Sequence, residues 1–424
     1  MSHKLNYLGG AVGLSALLLS SHAMADPVEL TLWDISGDQG AAAELAAFEA
    51  ANPDIKVNVV GFESEDYKTQ LRLTVAAGNV PDLYVSNGGF TFFEYVNRGA
   101  AMDITDLVKT RGWDKRTEPA FLAADTDKDG HIWGMPWNPI DVQALFYDKE
   151  FFDKNNIPLP TSIESMKDVA AKIKAAGRYP IAFGDKDGWP AIMMLADLMF
   201  QNATPEDVQK LNTGENKWTS FPAATKAFDA LHEMAVDGDF MPGFLSSNHE
   251  TAIMTWVGRK AAMLYNGTWW PSVAKTNNPF PVAVADFPQL TPGAPLLGTQ
   301  GLPGSQLLMS SHLDGAKKDA AIKLFDYLTS DAGMVLYGNA EQVLTDDPVA
   351  NKSITQIASF YSQPALQRVA AAPKMQYLDH AFPIPVVEVL KVQLQKIMQD
   401  DGYTTAEALA AVEAAHAIER AKTN

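Results

Sequence analysis

The sequence predicts an α/β protein of more than one domain, and three observations lead to this prediction. Strand and helix patterns alternate in the N-terminal part of the chain. The 424 residues are enough for two or three domains that each have a sizeable core. Links that contain proline or glycine separate the later patterns. The composition, 47% hydrophobic and 20% charged, is that of a globular chain rather than a disordered one.

The N-terminal region has the pattern of parallel strands joined by helices. Three segments alternate or read as buried strands, and the helical segments between them end at Asn52 and Pro53 or at Gly78. In order, the segments are residues 29–33 (strand), 41–51 (helix), 55–60 (strand), 66–77 (helix) and 82–86 (strand). This order predicts a parallel sheet with right-handed crossovers.

The rest of the chain contains further strand patterns and many helical ones. A strand at residues 142–147 follows an irregular link at residues 136–139, and residues 179–188 have the pattern of a strand and a loop. Residues 277–304 contain many prolines and predict an extended crossing segment. The helical patterns cover residues 162–176, 221–236, 249–257, 315–328 and 404–420.

The charge balance and the cysteine count exclude some classes of partner. A formal net charge of −18 repels phosphate backbones and anionic bilayers, which argues against a nucleic-acid partner. The chain has no cysteine, so it has no disulfide, no thiol nucleophile and no cysteine for a lipid anchor. After the N-terminal segment, no window reaches the roughly 18 apolar residues of a membrane span.

Residues 1–25 have the pattern of a secretory signal peptide. Lys4 supplies a positive start, residues 8–20 are apolar, and Ala23 and Ala25 form a small-x-small cleavage site before Asp26. A buried N-terminal helix is the alternative. The favoured interpretation is an exported, unanchored protein of the periplasm, and residues 1–25 are left out of the fold prediction.

Recognised catalytic and metal-binding motifs are absent from the sequence. It has no GxxxxGK[ST], HExxH, GxSxG or GxGxxG, and its eight histidines lack metal-ligand spacing. Residues 125–130 (DTDKDG) begin like a calcium loop, but Pro136 stands where the bidentate glutamate belongs. A hairpin turn with Trp133 on the return strand is favoured there. We therefore predict no enzyme activity, no cofactor and no metal.

The tryptophans are concentrated at the ends of predicted elements. An apolar strand at residues 261–265 is followed by a predicted turn at Asn266 and Gly267 and then by two adjacent indoles. In open α/β sheets, ligands bind beyond the carboxyl ends of strands. Indoles stack on the apolar faces of sugar rings, although packing in a core is the competing interpretation for any single tryptophan. The tryptophans at such positions are Trp33, Trp113, Trp133, Trp137, Trp189, Trp269 and Trp270, of which Trp33 is expected in the core and Trp113 in a structural role.

Five segments in order resemble the extracellular solute-binding proteins of carbohydrate ABC importers, the maltose-binding-protein-like family. The resemblance extends over the chain after residue 25. It is carried by LTLWDISGD with FEAANPDIKV, LTVAAGNVPDLYV, MPWNPIDVQALFYDKEFF, GRKAAMLYNGTWW and KKDAAIKLFDYLTSDAGMVLY.

The resemblance implies an α/β fold of two lobes, the periplasmic-binding-protein fold, with a ligand cleft between the lobes. Three crossovers would join the lobes near residues 138–140, 301–305 and 342–348. The N-terminal lobe would comprise residues 26–138 and 305–342, and the C-terminal lobe residues 139–301 and 348–424. The lobes would close over the ligand by a hinge motion.

The resemblance also implies a set of ligand-binding residues. These are Asp34, Ser36, Asp38, Gln39, Ser86, Asn87, Gly88, Trp137, Asp141, Trp189, Trp269, Trp270, Gly301 and Phe382, the last at a late aromatic position near residues 380–382. The sequence departs from maltose binding at Gln39, where a lysine is usual, and at residues 86–89 (SNGG), which lack an Asp-Arg pair. Because none of these positions is cationic, a neutral sugar is favoured over a phosphate ester or a uronate.

The favoured hypothesis is a monomeric periplasmic protein that binds a neutral mono- or oligosaccharide and delivers it to the transmembrane subunits of an ABC permease. One alternative keeps the fold and changes the ligand to a polyamine, a glycerophosphodiester, a peptide or another small solute. The carboxylates of Asp34, Asp38 and Asp141 would suit a polyamine. A secreted glycan hydrolase is a further alternative, which the missing catalytic signatures disfavour.

Overall fold

The computed structural model describes residues 26–35, 39–137, 141–276, 279–301, 305–399 and 402–423, apart from the side chains of residues 39, 40 and 423. The strands in these residues are β1 Val28–Ile35, β2 Ile55–Phe62, β3 Leu83–Asn87, β4 Met135–Pro136, β5 Gln143–Asp148, β6 Tyr179–Ala182, β7 Ala261–Gly267, β8 Val282–Ala285, β9 Thr299–Gln300, β10 Ser305–Met309 and β11 Lys374–Met375.

Helices account for most of the remaining chain. The helices are α1 Gln39–Ala51, α2 Ser64–Ala76, α3 Gly89–Asn97, α4 Thr105–Arg111, α5 Pro119–Ala124, α6 Lys149–Asn155, α7 Ile163–Ala175, α8 Trp189–Met199, α9 Pro205–Thr213, α10 Pro222–Val236, α11 His249–Val257, α12 Trp270–Ala274, α13 Gly315–Leu328, α14 Asp331–Glu341, α15 Pro364–Ala371, α16 Leu378–Ala381, α17 Ile384–Ile397 and α18 Thr405–Thr423. Within the described chain, none of them is both long and apolar enough to cross a membrane.

The first sheet has the strand order β2-β1-β3-β10-β4. Strand β1 pairs in parallel with both β2 and β3, which confirms the parallel arrangement predicted for the N-terminal region. Strand β10 comes from much later in the chain and runs antiparallel to β3, with Ser305 opposite Asn87. The ends of β1 and β3 and the start of β10 therefore meet at one edge of this sheet.

The second sheet has the order β6-β7-β5-β8 and combines parallel and antiparallel pairs. Strand β7 is parallel to β6 and antiparallel to β5, so that Gly267 lies opposite Gln143. The predicted turn at Asn266 and Gly267 is therefore wrong, because both residues continue the strand and pair with β5. The predicted extended segment at residues 277–304 also contains a sheet strand, β8.

Buried apolar side chains form separate clusters around the two sheets. The cluster at the first sheet, here called the first core, draws on described residues between 30 and 137 and between 307 and 350. The second sheet is covered on both faces. Leu145 of β5 packs in the cluster on one face, and the next residue, Phe146, packs in the cluster on the other. This alternation follows from the period of two of a β-strand.

The hairpin turn predicted at residues 125–130 is present. Thr126 bridges to Ile132 across the turn, and the indole N–H of Trp133 donates to Oδ2 of Asp127 at 2.9 Å. Gly130 takes a φ of 86°, which glycine adopts without a steric penalty. Among the residues described, no group of three or more His, Cys, Asp or Glu side chains is placed to hold a metal ion.

Candidate functional site

A cavity of about 190 Å³ lies where the edge of the first sheet faces the end of the second. Ile35, Asn87 and Ser305 line it from the three strands that meet at the first sheet. Asp141, just before β5, and Trp269, just after β7, line it from one end of the second sheet, because these two strands are antiparallel. The other lining residues are Ser64, Lys68, Trp189, Met193, His249, Ser272, Val273, Tyr337, Tyr377, Asp379 and His380.

Aromatic rings form one side of the cavity. The ring centroids of Trp189 and Trp269 are 6.2 Å apart, and Tyr377 lies 6.3 Å from Trp269. Both indoles are only partly buried, and each packs on the edge of a core. The indole of Trp269 lies against Gly267, where an added Cβ would stand 2.0 Å from the ring. A glycine at the end of β7 is therefore required for this placement of the indole.

Trp189 is held by a buried turn at the start of α8. Gly188 precedes it with a φ of 77°, and Oδ1 of Asp185 accepts from the backbone N–H of Ala191 at 2.8 Å. The side chain of Gln395 donates to the backbone carbonyl of Asp185 at 2.6 Å. Burial raises the pKa of Asp185 to about 8. The buried carboxyl group of Asp185 thus holds the turn that positions Trp189.

Two carboxyl groups line the cavity near the rings. Oδ1 of Asp141 accepts from the hydroxyl of Thr268 at 2.9 Å, and its backbone carbonyl accepts from the hydroxyl of Tyr377 at 2.8 Å. The side chain of Asp379 is 9% exposed. Its Oδ1 makes no hydrogen bond with the residues that the structure describes. Buried polar atoms of this kind usually have a hydrogen-bond partner, and the residue that carries this oxygen lines the wall of the cavity.

The imidazole of His380 lies beside these carboxyl groups, with its Nε2 3.4 Å from Oδ1 of Asp379. Burial lowers its pKa, with Lys68 and Lys391 acting in the same direction and Asp379 against it. The amide Nδ2 of Asn87 lies 2.8 Å from Nε2 of His380. The direction of this hydrogen bond depends on the tautomer of the ring, whose other nitrogen is Nδ1. That Nδ1 makes no hydrogen bond within the described residues.

The cavity also contains one cation, which the sequence prediction did not include. Lys68 lies on the cavity wall, and its ammonium is 2.7 Å from Oε1 of Glu65. The same carboxylate lies 3.9 Å from the ammonium of Lys391. The positive charge of Lys68 is therefore already matched by a carboxylate of the protein.

The two sides of the cavity touch each other at its rim. The amide of Asn248, which caps α11, donates to Oε1 of Glu63 at 3.1 Å. The nearby charge of Glu250 raises the pKa of Glu63. The approach at Gly88 is closer still, since a Cβ there would meet Nε2 of Gln376 at 1.8 Å. The part of the chain around the first sheet and the part around the second sheet, here called the two halves, are thus in contact across the rim, which we call the closed arrangement.

Four of the predicted ligand-binding residues line the cavity: Asn87, Asp141, Trp189 and Trp269. Four others lie beside it without lining it. Asp34 is buried immediately before Ile35, Ser86 is buried before Asn87, Gly88 caps the N-terminus of α3, and Gly301 is buried near the backbone of Asp141. Ser36 and Asp38 lie outside the described residues, as does the side chain of Gln39, whose backbone begins α1.

Three predicted ligand-binding side chains lie in the cores instead, and for these the prediction is wrong. The indole of Trp137 packs in the first core and donates to Oε2 of Glu44 at 3.2 Å. Trp270 is fully buried, with its ring 4.9 Å from Trp256. Phe382 is fully buried with its ring 5.4 Å from Trp218. Each gains more from apolar burial than it would from partial exposure at a cleft.

Sequence reasoning missed most of the polar and mixed lining of the cavity. Tyr377 and Asp379 lie a few residues before the late aromatic position that was predicted near residues 380–382. His249, whose ring lies 5.0 Å from Trp189, is the first residue of a predicted helix and shares the lack of metal-ligand spacing of the other histidines. Lys68 and Met193 sit within ordinary helical patterns. For these helical residues, no local signal separates a cavity-lining side chain from a surface or core one.

Comparison with known proteins places the chain in a family. The family of bacterial extracellular solute-binding proteins matches residues 34–335, which is more than half of the chain. A probable sugar-binding periplasmic protein of Mesorhizobium japonicum is 26% identical over 266 residues, 62% of this chain and 63% of that protein. The chain thus spans less than two thirds of that relative's length.

Two further similarities extend over most of the chain. The multiple sugar-binding protein of Streptococcus mutans is 22% identical over 381 residues, which are 84% of each chain. The solved structure of a chitin oligosaccharide binding protein has the same fold, with a TM-score of 0.81 at 22% identity over 93% of this chain and 100% of that chain. The chain belongs to the family of bacterial extracellular solute-binding proteins.

Proposed function

We propose that the protein is the substrate-binding component of an ABC sugar importer and that a neutral mono- or oligosaccharide binds in the cavity. One observation carries the proposal. The partly exposed indoles of Trp189 and Trp269 lie 6.2 Å apart in a cavity that also contains the carboxyl groups of Asp141 and Asp379. Indole faces pack on the apolar faces of pyranose rings, and carboxylates accept hydrogen bonds from ring hydroxyls.

The size of the cavity supports a small sugar in the closed arrangement. A volume of about 190 Å³, measured as space for water-sized probes, holds roughly a dozen water molecules. That is about the space of one or two sugar rings. The proposed ligand therefore binds within the cavity, between its lining residues, rather than on a flat surface.

The charges around the cavity favour a neutral ligand over an acidic one. Asp141 and Asp379 are acceptors that would repel a uronate or a phosphate ester. Lys68 is already paired with Glu65, and burial lowers the pKa of His380. Among the cavity residues that the structure describes, an anionic ligand would therefore meet no cation that is not already paired, and its burial would cost several kcal/mol or more.

Relatives named for sugar binding support this proposal, and we extend it to the organisation of the chain. We propose a lobe of residues 26–138 and 305–342, and a second lobe of residues 139–301 and 348–424. The separate clusters of buried side chains support this division. Ala350, two residues inside the proposed second lobe, packs in the first core, which supports a third crossover that ends a few residues later than residue 348. The predicted crossover at residues 138–140 lies outside the described residues, as do residues 302–304 of the one predicted at residues 301–305.

We further propose that the protein is exported by the signal peptide of residues 1–25, works as an unanchored periplasmic monomer, and releases its sugar unchanged to the permease. Closure would follow from a sugar that contacts both lobes, because such a ligand binds the closed form more tightly than the open form. Polyamine and glycerophosphodiester ligands are the alternatives that an experiment must separate from this proposal.

A thermal unfolding screen tests the proposed ligand class. Neutral sugars of several stereochemical series, uronic acids, spermidine and glycerophosphocholine would each be added to the purified protein. A ligand at a hundredfold excess over its Kd adds about 2.7 kcal/mol of stability, or roughly 3 °C in Tm for a chain of this size. We expect a neutral sugar to give such a shift. A shift with spermidine or glycerophosphocholine alone would contradict the proposal.

A further inference from the structure

Two open spaces in the structure meet at one residue. The cavity described above is one of them. The other is a groove of about 1080 Å³ on the outside of the junction between the two halves, called here the outer groove. Its lining includes Phe90, Phe93, Pro383 and Ile384, and the ring of Phe90 is 42% exposed. His380 is the residue that lines both spaces.

A thin partition separates the two spaces, and we call it the end wall. It consists of residues 87–89 from the end of β3 and residues 376–380 from the opposite half. Asn87, Tyr377 and Asp379 face the cavity, whereas Gly89 and Gln376 face the outer groove. The hydrogen bond between Asn87 and His380, at 2.8 Å, closes it.

The end wall depends on two consecutive glycines. A Cβ at Gly88 would meet the side-chain Nε2 of Gln376 at 1.8 Å. A Cβ at Gly89 would stand 2.1 Å from the backbone carbonyl oxygen of His380, which cannot rotate away as a side chain can. Gln376 and His380 are themselves only 7% and 6% exposed. The two halves therefore touch backbone to backbone, with no room for a ligand between them.

We propose that the end wall sets the length of the ligand. A sugar of one or two rings fits inside the cavity and lets residues 87–89 meet residues 376–380. A longer oligosaccharide has to pass between these segments towards the outer groove, so it holds them apart. The contacts that residues 87–89 and 376–380 make in the closed arrangement are then lost. This inference rests on the proposed function, and it makes Gly89 and His380 specificity-determining residues for a short ligand.

Two alanine variants separate the end wall from ordinary backbone strain. Gly89 and Gly99 flank α3 and take positive φ angles of 65° and 70°, so alanine costs similar backbone strain at either position. An added Cβ at Gly99 has no neighbour within 4 Å, whereas one at Gly89 meets the opposite half. Gly89→Ala is the test variant, and Gly99→Ala is its matched control.

The first measurement is calorimetric titration with oligosaccharides of one to about six units of whichever sugar series binds. For the unaltered protein and for Gly99→Ala, we expect Kd to rise at least about tenfold beyond two or three units. Gly89→Ala should weaken the short sugars at least about tenfold and change the long ones less than about twofold. Affinity that grows with length, or equal effects of the two variants, would overturn the proposal.

A second measurement needs no sugar and keeps this inference distinct from the proposed function. The chain has no cysteine, so Leu73→Cys on α2 and Ile418→Cys on α18 can carry a pair of spin labels. Both positions are 61% exposed, one on each half. If no sugar binds, the proposed function fails, but the distances between the two spin labels still test the end wall. Longer label-to-label distances in Gly89→Ala than in Gly99→Ala support the end wall, and identical distance distributions overturn it.

Discussion

Replacing Trp269 with alanine should weaken sugar binding strongly while leaving the protein folded. The indole lines the cavity, lies 6.2 Å from Trp189 and 6.3 Å from Tyr377, and is partly exposed. A sugar face packed on it would bury about 60–80 Å² of apolar surface, worth about 1.5–2 kcal/mol at roughly 25 cal/mol per Å². We therefore expect Kd to rise about 10- to 30-fold.

The neighbouring indole provides the control. Trp270 is fully buried, and its ring lies 4.9 Å from that of Trp256 and 6.1 Å from that of Phe360. Trp270→Ala should lower the free energy of unfolding by about 3–5 kcal/mol, because it opens a cavity in a packed core. The affinity of the protein that remains folded should stay the same.

Titration calorimetry at a temperature where both variants are folded, together with thermal unfolding, measures the two effects. Trp269→Ala should change mainly Kd, and Trp270→Ala mainly Tm. If Trp269→Ala bound the sugar with unchanged affinity, or if Trp270→Ala lost binding while still folded, the assignment of the two indoles would be refuted.

Three other predictions follow from the surroundings of the cavity. Asp379→Asn and Asp141→Asn should each raise the Kd for a neutral sugar about tenfold in calorimetry, since bonds from ligand hydroxyls to a carboxylate are stronger than to an amide; unchanged affinity in both would remove the carboxylates from the site. The pKa of Asp185 is raised to about 8, so the folded state holds a proton that the unfolded state releases near pH 4, and stability is lost as the pH rises from about 4 to about 8. Asp197 and Asp239, whose pKa values burial raises to about 7, add to the same decline. Asp185→Asn should therefore make the decline less steep in denaturant titrations across this pH range, and an equally steep decline would show that Asp185 does not contribute to it. Glu250 raises the pKa of Glu63 in the closed arrangement, so the affinity for the sugar should increase a few-fold as the pH falls towards the ordinary pKa range of glutamate. Glu63→Gln should abolish this increase. If Glu63→Gln leaves the pH profile of the affinity unaltered, the result counts against closure at this rim.

Much of the fold follows from local patterns in the sequence. The parallel pairing of β1 with β2 and β3 was predictable from alternating strands and intervening helices. The late insertion of β10 beside β3 was not predictable from the residues alone, because nothing local to residues 305–309 specifies a partner so far away in the chain. That pairing is nevertheless what places Ser305 and Asn87 at the same edge of the cavity.

In the candidate site, too, features set by neighbouring residues were predictable, whereas features set by contacts between distant segments were not. The sequence indicates an indole pair after β7, and Trp269 reaches the cavity. Which of two adjacent indoles is buried depends on the packing of Trp270 against Trp256, which the spacing does not reveal. Lys68 and Tyr377 were missed because their place at the cavity depends on how the two halves meet. Trp137 and Phe382 fill the cores for the same kind of reason.

A crystal structure grown with the sugar that raises Tm most tests the central claim most directly. We predict electron density for a sugar ring against the indole of Trp269, with hydroxyls donating to Asp141 and Asp379. Density for that sugar elsewhere on the protein, or a ring that contacts neither Trp269 nor Trp189, would contradict this account.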